Sequence, residues 1–469
     1  MNPLKNVPTI LVLFVAGVFP VFADEKAGNS VGEIPETWSY TEYFEPSSPA
    51  DDHWWKLFND DLLDSLIAVG QENNYDVKMA ARRIEIARAG LMSARSSYFP
   101  QASLSAGWNK SRTAGLASKP ATQSINSSFF SGDISVSWEI DLFGKITSAV
   151  REHKKLVGVS RAEYAGTMVS VAAEIAKEYF QLRVWQAELQ VAKEHSARQD
   201  KIVKITEARY ESGLNSKLDV TQAKEVYYST IASVPGLENS ISTAINSIAV
   251  LLGVYPDEIA PRLAQFEKLP DYVQLVHAGI PAELLRRRPD IVQAEMSVAA
   301  NAAAVGVAKK EFLPTLAIDG SIGTQAHRLV DLFHNNSFTY SVAPRLSWTI
   351  FSGLNRRANA ISANETLKMS VDNYNMTVLN AVNEVNNAMS SYVASLKNVD
   401  IIKELISYDN ESYNLSVDLY KQDLTAFSNV VDAQLNILEN ANSLIVAEGN
   451  ALSSLVTLYQ ALGGGWDGL

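Results

Sequence analysis

Residues 134–144 of the chain, ISVSWEIDLFG, decide its fold. Apolar and polar residues alternate through the first nine of them, which is typical of a β-strand with one apolar and one polar face. The run that follows, Lys145 to Glu211, contains no proline and is interrupted only by Gly158 and Gly166 as weak points. At 1.5 Å per residue this run predicts a helix of about 100 Å. The sequence therefore predicts a strand that leads directly into a very long helix.

The same arrangement is written twice along the chain, at an offset of about 210 residues. Residues 138–144 (WEIDLFG) correspond to residues 348–353 (WTIFSG), with one deletion. Residues 94–100 (ARSSYFP) correspond to residues 308–314 (AKKEFLP). Because the matches keep the same order, we interpret each half as one structural unit that is used twice.

Each half is predicted to contain a short helix, two strands, a long helix and a return helix, in that order. The first half covers 59–253, with helices at about 75–98, 145–212 and 216–252 and strands at about 101–112 and 131–143. The second half covers 280–463, with helices at about 289–312, 354–422 and 426–462 and strands at about 315–326 and 337–351. The remaining predicted parts are a signal peptide at 1–23, an extended segment at 24–58, an equatorial linker at 254–279 and a tail at 464–469.

The first residues have the features of an export signal. Lys5 supplies a positive charge, Thr9 to Val21 is a short apolar run, and Val21-Phe22-Ala23 offers small residues at the positions that a signal peptidase requires. A retained membrane anchor is the alternative interpretation. No later stretch approaches about 20 uncharged apolar residues, so we expect no further membrane-spanning helix.

Composition argues against several classes of function. The formal net charge of −12 is unfavourable for nucleic-acid binding, and the chain has no cysteine for disulfides or thiolate chemistry. Its six histidines are scattered without the spacing of a metal site, and no glycine-rich phosphate loop follows a strand. We therefore predict no catalytic residues, no metal site and no cofactor.

Four amphipathic strands constrain the assembly. Each predicted strand is about ten residues long, which is enough to cross a bilayer when tilted. Four strands cannot close a barrel, however, and an open edge in hydrocarbon leaves backbone groups without hydrogen bonds. The chain is therefore expected to oligomerise if its strands cross a membrane, and three copies give twelve strands. A sheet on a soluble core is the alternative, and Pro344 indicates a bulge or an edge strand.

Several motifs now carry a family resemblance. They are Arg287-Arg288-Pro289-Asp290-Ile291 with Ala294-Glu295, Asp141-Leu142-Phe143-Gly144 with its counterpart at Gly353, Leu218-Asp219-Val220, and Val431-Asp432-Ala433-Gln434. With these motifs in this order on a duplicated chain, the sequence resembles the outer-membrane efflux protein family of TolC-like outer-membrane factors. Within that family it is most similar to the drug-efflux branch related to OprM and NodT. The similarity extends from Trp54 to Trp466.

The resemblance implies a mixed α and transmembrane β fold. The internally duplicated chain would contribute four strands to a trimeric twelve-strand β-barrel and its long helices to an α-helical periplasmic barrel. The protein would be a passive gated conduit in the outer membrane of a Gram-negative bacterium. It would carry small molecules to the outside from an inner-membrane RND-type transporter and a periplasmic adaptor protein. A homotrimer in contact with outer-membrane lipid is implied, with no nucleic acid and no cofactor.

In relatives, side chains near the turns between the long and return helices close the periplasmic mouth. By position, the gate candidates in this chain are Asp219, Asp432, Tyr420, Asn429 and Tyr210. Asp219 also suits the acid of a capping box that starts at Ser216, and the two tyrosines also suit packing roles.

The sequence departs from the family pattern in three places. Thr425 and Asn429 stand where some relatives carry a base and an acid that form gate ion pairs, and Asp423 replaces the turn glycine Gly213 of the first half. The lipidated N-terminal cysteine that is usual in this branch is missing, so anchoring would rest on the barrel alone.

Two rival functions stay open at this point. The first is an outer-membrane duct for type I protein secretion, and the second is a periplasmic helical scaffold or adaptor that transports nothing.

Residues 286–288 are three arginines that could form a phosphate patch. Because Pro289 and Asp290 follow as a helix start, we interpret Arg287, Arg288, Pro289 and Asp290 as a structural junction.

Overall fold

The structure is a computed structural model that describes residues 43–45, 53–115, 123–271, 276–277, 287–422 and 424–466. The predicted signal peptide at 1–23 lies outside the described residues. So do Arg286, Asp423, most of the predicted segment at 24–58, part of the linker at 254–279 and the end of the predicted tail.

The helices and strands of the described residues follow the predicted order. The helices are α1 (Asp61–Asn73), α2 (Tyr75–Ser96), α3 (Lys145–Glu211), α4 (Lys217–Leu252), α5 (Pro256–Leu263), α6 (Pro289–Lys310), α7 (Asn355–Lys421) and α8 (Phe427–Ala461). The strands of the main sheet are β1 (Gln101–Thr113), β2 (Ile125–Ile140), β3 (Thr315–Ala326) and β4 (Phe338–Ser347). Phe44–Glu45 and Val276–His277 form a separate short parallel pair. Helices α3 and α7 each have 67 residues, or about 100 Å.

The four main strands form one antiparallel sheet in the order β1-β2-β3-β4. Its register aligns Ser103, Ser135, Ser321 and Ser341 in a single row across all four strands. The hydroxyls of that row pair at 2.8 Å between β1 and β2 and again between β3 and β4. Because side chains alternate between faces, the odd-numbered residues of every strand share this polar face.

Acidic residues on the polar face are tied to neighbouring strands. Ser105 donates a hydrogen bond of 2.7 Å to Asp133, and Ser137 donates one of 2.8 Å to Asp319. Arg345 forms an ion pair of 3.0 Å with Asp319 from the other side. The bond between Ser137 and Asp319 joins the two halves of the duplicated chain, because β2 belongs to the first half and β3 to the second.

The opposite face of the sheet is apolar and exposed. Its larger side chains are Leu104, Trp108, Phe130, Ile134, Val136, Trp138, Ile318, Ile322, Tyr340, Val342 and Leu346. Pro344 lies in β4, which is an edge strand as its lack of an N–H group predicts. A sheet with one polar face, one exposed apolar face and two free edges is not the core of a soluble domain.

Helices α3 and α7 are the two long members of a helical layer with two levels. Near the sheet, α2 packs on α3, α3 on α6, and α6 on α7. Farther from the sheet, α4 packs on α3, α3 on α8, and α8 on α7. The short helix pairs α2 with α4 and α6 with α8 therefore occupy equivalent places beside the long helices.

Two joints connect the levels where one short helix ends and another begins. Asn74, which precedes α2, donates a hydrogen bond of 2.8 Å to the carbonyl of Leu251 at the end of α4. Arg288, which precedes α6, donates one of 2.8 Å to the carbonyl of Ala461 at the end of α8. These equivalent joints satisfy carbonyl groups that a helix end would otherwise leave without partners.

The largest apolar core lies at the level of these joints. The ring of Trp54 stacks on Tyr459 with centroids 5.8 Å apart, and Phe58 meets Phe180 edge-on at 4.9 Å. Beside them, the fully buried Arg183 donates hydrogen bonds to the carbonyl of Gln265 and to Glu267, both at 2.6 Å. The linker after α5 is thereby tied to α3.

Strand β2 begins at Ile125 instead of about 131, and three further details differ from the sequence prediction. The Pro235-Gly236 pair in the sequence predicts a kink or a break in α4, but the helix does not break and continues through both residues. Ion pairs on both sides of this point, Lys224 with Glu207 and Lys193 with Glu238, hold α4 along α3. Strand β4 ends at Ser347 instead of 351, and the indole of the next residue, Trp348, donates to the carbonyl of Phe312 at 2.9 Å.

The third difference concerns membrane-spanning potential. Among the described residues, α6 is the one helix whose length and hydropathy would suit a membrane span. It lies between α3 and α7 and begins at the charged residues Arg288 and Asp290. Its buried residues include Ile291 and Ala300.

Candidate functional site

The ends of the two helical hairpins, farthest from the sheet along α3 and α7, hold all five gate candidates. In the first hairpin Gly213 has a φ of +74°, and the N–H of Leu214 donates to the carbonyl of Arg209 at 2.8 Å. This is the glycine-dependent helix ending known as a Schellman motif. Ser216 then caps α4 by accepting a hydrogen bond from the backbone N–H of Asp219.

The second hairpin reverses with different chemistry. The N–H of Leu424 donates to the carbonyl of Leu419 at 3.0 Å, which matches the bond in the first hairpin. Thr425 and Asn429 occupy the positions of gate ion pairs in some relatives. Here Nδ2 of Asn429 donates a hydrogen bond of 2.5 Å to Oγ1 of Thr425. Because this neutral pair lies within one hairpin, it forms no charged link between the two hairpins.

Apolar side chains join the two hairpins near their ends. The buried members of this tip cluster are Val203, Ala223, Val226, Phe427, Val430 and Val431. They come from α3, α4 and α8, and Tyr413, Val417 and Tyr420 of α7 pack around them. All four hairpin helices therefore meet in one small core.

Tyr420 is the gate candidate that contacts both hairpins. Its ring lies 5.3 Å from that of Phe427 in the second hairpin. The guanidinium of Arg209 in the first hairpin lies 5.9 Å from the centre of the same ring, within the range of a cation–π contact. Arg209 is positioned by a hydrogen bond of 2.9 Å from Nε to Asn215. The sequence prediction did not include Arg209 or Phe427, and only their nearness to the two turns pointed to them.

The other gate candidates lie toward the surface. Tyr210, Asn429 and Asp432 are exposed, and Asp219 is partly exposed. The carboxylate of Asp219 accepts a hydrogen bond of 2.8 Å from the hydroxyl of Ser216, in place of the predicted capping-box bond to the Ser216 backbone. Asp219 lies in the first turn of α4, and Asp432 lies in the second turn of α8.

Above the tip cluster, the contact between the hairpins is polar. His195 and Gln199 of α3 are buried, with Gln199 only 2% exposed, and Gln434 of α8 is buried at the same level. Neither the Nδ1 atom of His195 nor the amide of Gln199 has a hydrogen-bond partner. Burial lowers the pKa of His195, and the nearby charge of Arg198 lowers it further. Unpaired buried polar groups weaken an interface, so this polar level adds less to the contact between the hairpins than the tip cluster below it and the large apolar core at the joints.

The residues of the predicted structural junction form the joint before α6. Arg288 binds Asp290 through two hydrogen bonds of 2.7 and 3.0 Å and Glu384 of α7 through one of 2.6 Å. The carbonyl of Arg287 accepts a hydrogen bond of 3.2 Å from Trp466. Pro289 is the first residue of α6, where the missing N–H costs nothing.

The start of α3 shows why the Asp-Leu-Phe-Gly motif has its composition. The carboxylate of Asp141 accepts hydrogen bonds of 2.9 and 2.8 Å from the N–H groups of Ile146 and Thr147. Gly144 has a φ of +75°, and its carbonyl accepts a bond of 2.9 Å from Lys310. In the second half both Gly353 and Leu354 have positive φ values, of +60° and +70°.

Comparison with known proteins identifies the class of molecule. The family model described as outer membrane efflux protein matches residues 66–254 and 280–464, which is most of the chain and follows its two halves. The chain belongs to the outer membrane efflux protein family. The predicted family, mixed fold and outer-membrane location with the helices in the periplasm are thereby confirmed.

Individual relatives cover nearly the whole efflux protein. Nodulation protein T of Rhizobium leguminosarum bv. trifolii is 27% identical over 414 residues, 88% of each chain. The antibiotic efflux pump outer membrane protein ArpC of Pseudomonas putida is 26% identical over 460 residues, 97% of this chain and 94% of ArpC. The solved outer-membrane channel OprN is 28% identical with a TM-score of 0.84, covering 94% of this chain and 99% of OprN.

The described residues of this efflux protein contain no group of three His, Asp or Glu side chains that could hold a metal ion. The contacts at the hairpin ends are packing, hydrogen bonds and electrostatic attraction.

Proposed function

We propose that three copies of the chain form a passive gated conduit. It carries small molecules across the outer membrane, receiving them from an inner-membrane RND-type pump through a periplasmic adaptor protein. The energy of transport comes from the pump, and this chain only opens and closes. The chain catalyses no reaction.

The observation that carries the proposal is the four-stranded sheet with free edges at β1 and β4. Its exposed apolar face suits lipid, and its row of serine hydroxyls suits water. Hydrocarbon leaves no water for the backbone groups of an open edge, so β4 of one copy must pair with β1 of the next. Three copies supply twelve strands, which encloses a water-filled lumen.

The edges of the helical layer support the same assembly. Helix α7 exposes Met369, Met376 and Leu379 along one side at the level of the sheet-proximal helices. At the other edge of that level, α2 exposes Met79 and Ile86, which are seven residues apart. Two exposed apolar stripes at opposite edges of one layer suit head-to-tail contacts that close into a ring.

The tip residues give the conduit its gate. Asp219 and Asp432 bring six carboxylates to the mouth of a trimer, and Tyr420, Asn429 and Tyr210 lie beside them. The contact of Arg209 with Tyr420 and the tip cluster keep the two hairpins of one chain together. Opening requires that these contacts loosen while the joints and the apolar core hold.

The kind of cargo is proposed from the relatives. ArpC is named as part of an antibiotic efflux pump, and a second Pseudomonas putida relative, 26% identical over 440 residues, is named as a toluene efflux pump protein. Both names refer to small organic molecules, so we infer that this conduit carries compounds of that class.

The test is the mass of the particle extracted in detergent from isolated outer membranes, measured by light scattering coupled to size exclusion. Three chains per particle are expected. A single chain per particle, or a chain recovered only from the soluble periplasm, would contradict the barrel.

A further inference from the structure

A basic group lies on the apolar face of the sheet, at the hairpin end of β1. Trp108, Lys110 and Arg112 are alternate residues of β1, so their side chains project from the same face. Trp108 lies beside Phe130 of β2, with ring centroids 6.4 Å apart. Lys110 and Arg112 follow beyond this aromatic pair in the direction of the turn between β1 and β2.

A third basic residue, Arg328, follows the end of β3 in the other hairpin. Ala326, at the end of β3, pairs with Phe130, and a ring nitrogen of His327 lies 2.6 Å from the carbonyl of Ser128. Ser128 is also the register partner of Lys110. Arg328 therefore follows β3 at the row that contains Lys110.

The charged residues on this face of the four strands are all basic. In the four described strands, the face that carries Trp108 has Lys110 and Arg112 but no acidic residue. Arg112 donates a hydrogen bond of 3.1 Å to Ser124, which leaves its charge without a carboxylate in that contact. The acidic residue nearest to Arg328 along the chain is Asp331. The bond between the two residues joins the backbone N–H of Asp331 to the carbonyl of Arg328 and does not involve the carboxylate.

The position of this group relative to the membrane follows from the fold. The helices lie in the periplasm, so the turns of the two strand hairpins face the outside of the cell. Along β2, the apolar face from Phe130 to Ile140 spans about 33 Å of strand, or about 25 Å of membrane at the usual tilt. Lys110, Arg112 and Arg328 therefore lie just beyond hydrocarbon, at the level of the outer-leaflet headgroups.

The headgroups at that level are phosphorylated sugars, since glycolipid forms the outer leaflet of Gram-negative outer membranes. Arginine and lysine bind phosphate oxygens through charge-assisted hydrogen bonds. Trp108 and Phe130, directly below, offer an apolar surface to the acyl chains of the same molecule. We propose that Lys110, Arg112 and Arg328 bind the phosphate groups of an outer-leaflet glycolipid on the lipid-facing wall of the conduit.

This inference rests on the proposed barrel, because only a closed barrel directs this face to lipid. The test uses the full-length protein in mild detergent with purified lipid A as the probe. Bound lipid is counted by native mass spectrometry. We expect up to one tightly held lipid A per chain, and markedly weaker retention of dephosphorylated lipid A.

The matched variants are Lys110→Gln with Arg112→Gln, and Arg328→Gln alone. Each removed charge should weaken lipid A retention about fivefold, so the double variant should lose about 25-fold. The control is Arg161→Gln with Lys201→Gln, two exposed bases on α3, which should leave retention unchanged.

Three results would overturn the site: equal retention of both lipids by the unaltered protein, unchanged retention by the double variant, or full displacement of lipid A by millimolar inorganic phosphate. The last would indicate a simple anion site. Light scattering on the same samples separates this outcome from failure of the proposed function. A trimer that ignores the phosphates disproves only the lipid site, whereas a monomer disproves the barrel.

Discussion

At the scale of single residues, the two strand-to-helix junctions solve one problem in different ways. The residue directly before α3, Gly144, has a left-handed backbone conformation. The residue directly before α7 is Leu354, which has the same conformation with a φ of +70°. A left-handed conformation costs a residue with a Cβ roughly 1–2 kcal/mol. Leu354 is 66% exposed in one chain, so burial of its side chain does not offset this cost there.

Replacing Leu354 with glycine should therefore stabilise the protein. We expect the free energy of unfolding to rise by about 1 kcal/mol, the left-handed penalty less the extra chain entropy of glycine. Urea titration followed by tryptophan fluorescence measures this change. The matched comparison is Gly144→Ala, which introduces a Cβ at the other left-handed position and should lower the free energy of unfolding. If Leu354→Gly also lowers it, the left-handed backbone of Leu354 is not strained.

Asp141 provides a pH-dependent contribution at the start of α3. Burial alone would raise the pKa of this carboxyl, but hydrogen bonds from Thr147 and Ile146 and the charge of Lys310 lower it overall. A lowered pKa in the folded state means that the ionised carboxylate stabilises the fold above the ordinary value of 3.8. That stability is lost as the pH falls through the lowered folded pKa.

Asp141→Asn keeps one acceptor oxygen but loses the charge and the second acceptor, so it should cost about 1 kcal/mol at pH 7, the usual net worth of one hydrogen bond. The difference between the two proteins should shrink as the pH falls below about 4, where the unaltered carboxyl becomes protonated. Thermal unfolding of both proteins between pH 7 and pH 3 measures it. A difference that is constant over this range would show that charge plays no part.

At the scale of elements, the pattern of the sequence predicted the strands and the long helices well, because both depend on local periodicity. Residues 134–142 alternate, and the absence of proline through α7 leaves nothing to end that helix. Contacts between residues that are far apart in the chain leave no periodic pattern in the sequence. Arg209 and Tyr420 are far apart in sequence, and the cap role of Arg288 depends on Ala461 arriving from another helix. Pro235 does not break α4, and the ion pairs that join α4 to α3 on both sides of it are tertiary contacts that leave no local pattern in the sequence.

The contact of Arg209 with Tyr420 predicts a change in gating. A cation–π contact at an exposed site is worth about 0.5–1 kcal/mol, so Arg209→Gln should raise the open-to-closed ratio about two- to fivefold. Single-channel recording in planar bilayers measures the open time. Tyr420→Phe keeps the ring and should leave gating nearly unchanged, and equal effects of both substitutions would exclude the ring contact as the link.

At the scale of the whole molecule, the apolar stripes at the edges of the helical layer test the assembly. Leu379 is exposed in one chain, so a polar replacement there is harmless unless another copy covers it. Leu379→Glu should therefore reduce the trimer fraction strongly, because it places an unpaired charge in a buried contact. Light scattering of detergent extracts gives that fraction. The adjacent exposed residue offers the control Asn380→Glu, and the same loss in both would point to general misfolding.

Threefold assembly also predicts an electrostatic effect at the mouth. Asp219→Asn together with Asp432→Asn removes six negative charges from one trimer. We expect the preference of the channel for cations to fall, seen as a smaller reversal potential in a KCl gradient at low salt, where screening is weak. An unchanged reversal potential would place these carboxylates away from the ion path.

The joints at Asn74 and Arg288 give the layer an uneven torsional stiffness. A continuous helix such as α3 resists local twisting, because each turn is bonded to the next through its backbone. Where α4 meets α2, and where α8 meets α6, no continuous backbone helix joins the ends, and side-chain bonds such as those to the carbonyls of Leu251 and Ala461 connect them instead. Rotation imposed on the hairpin tips would be absorbed at these swivels, so the strands in the membrane could stay still while the distant mouth turns.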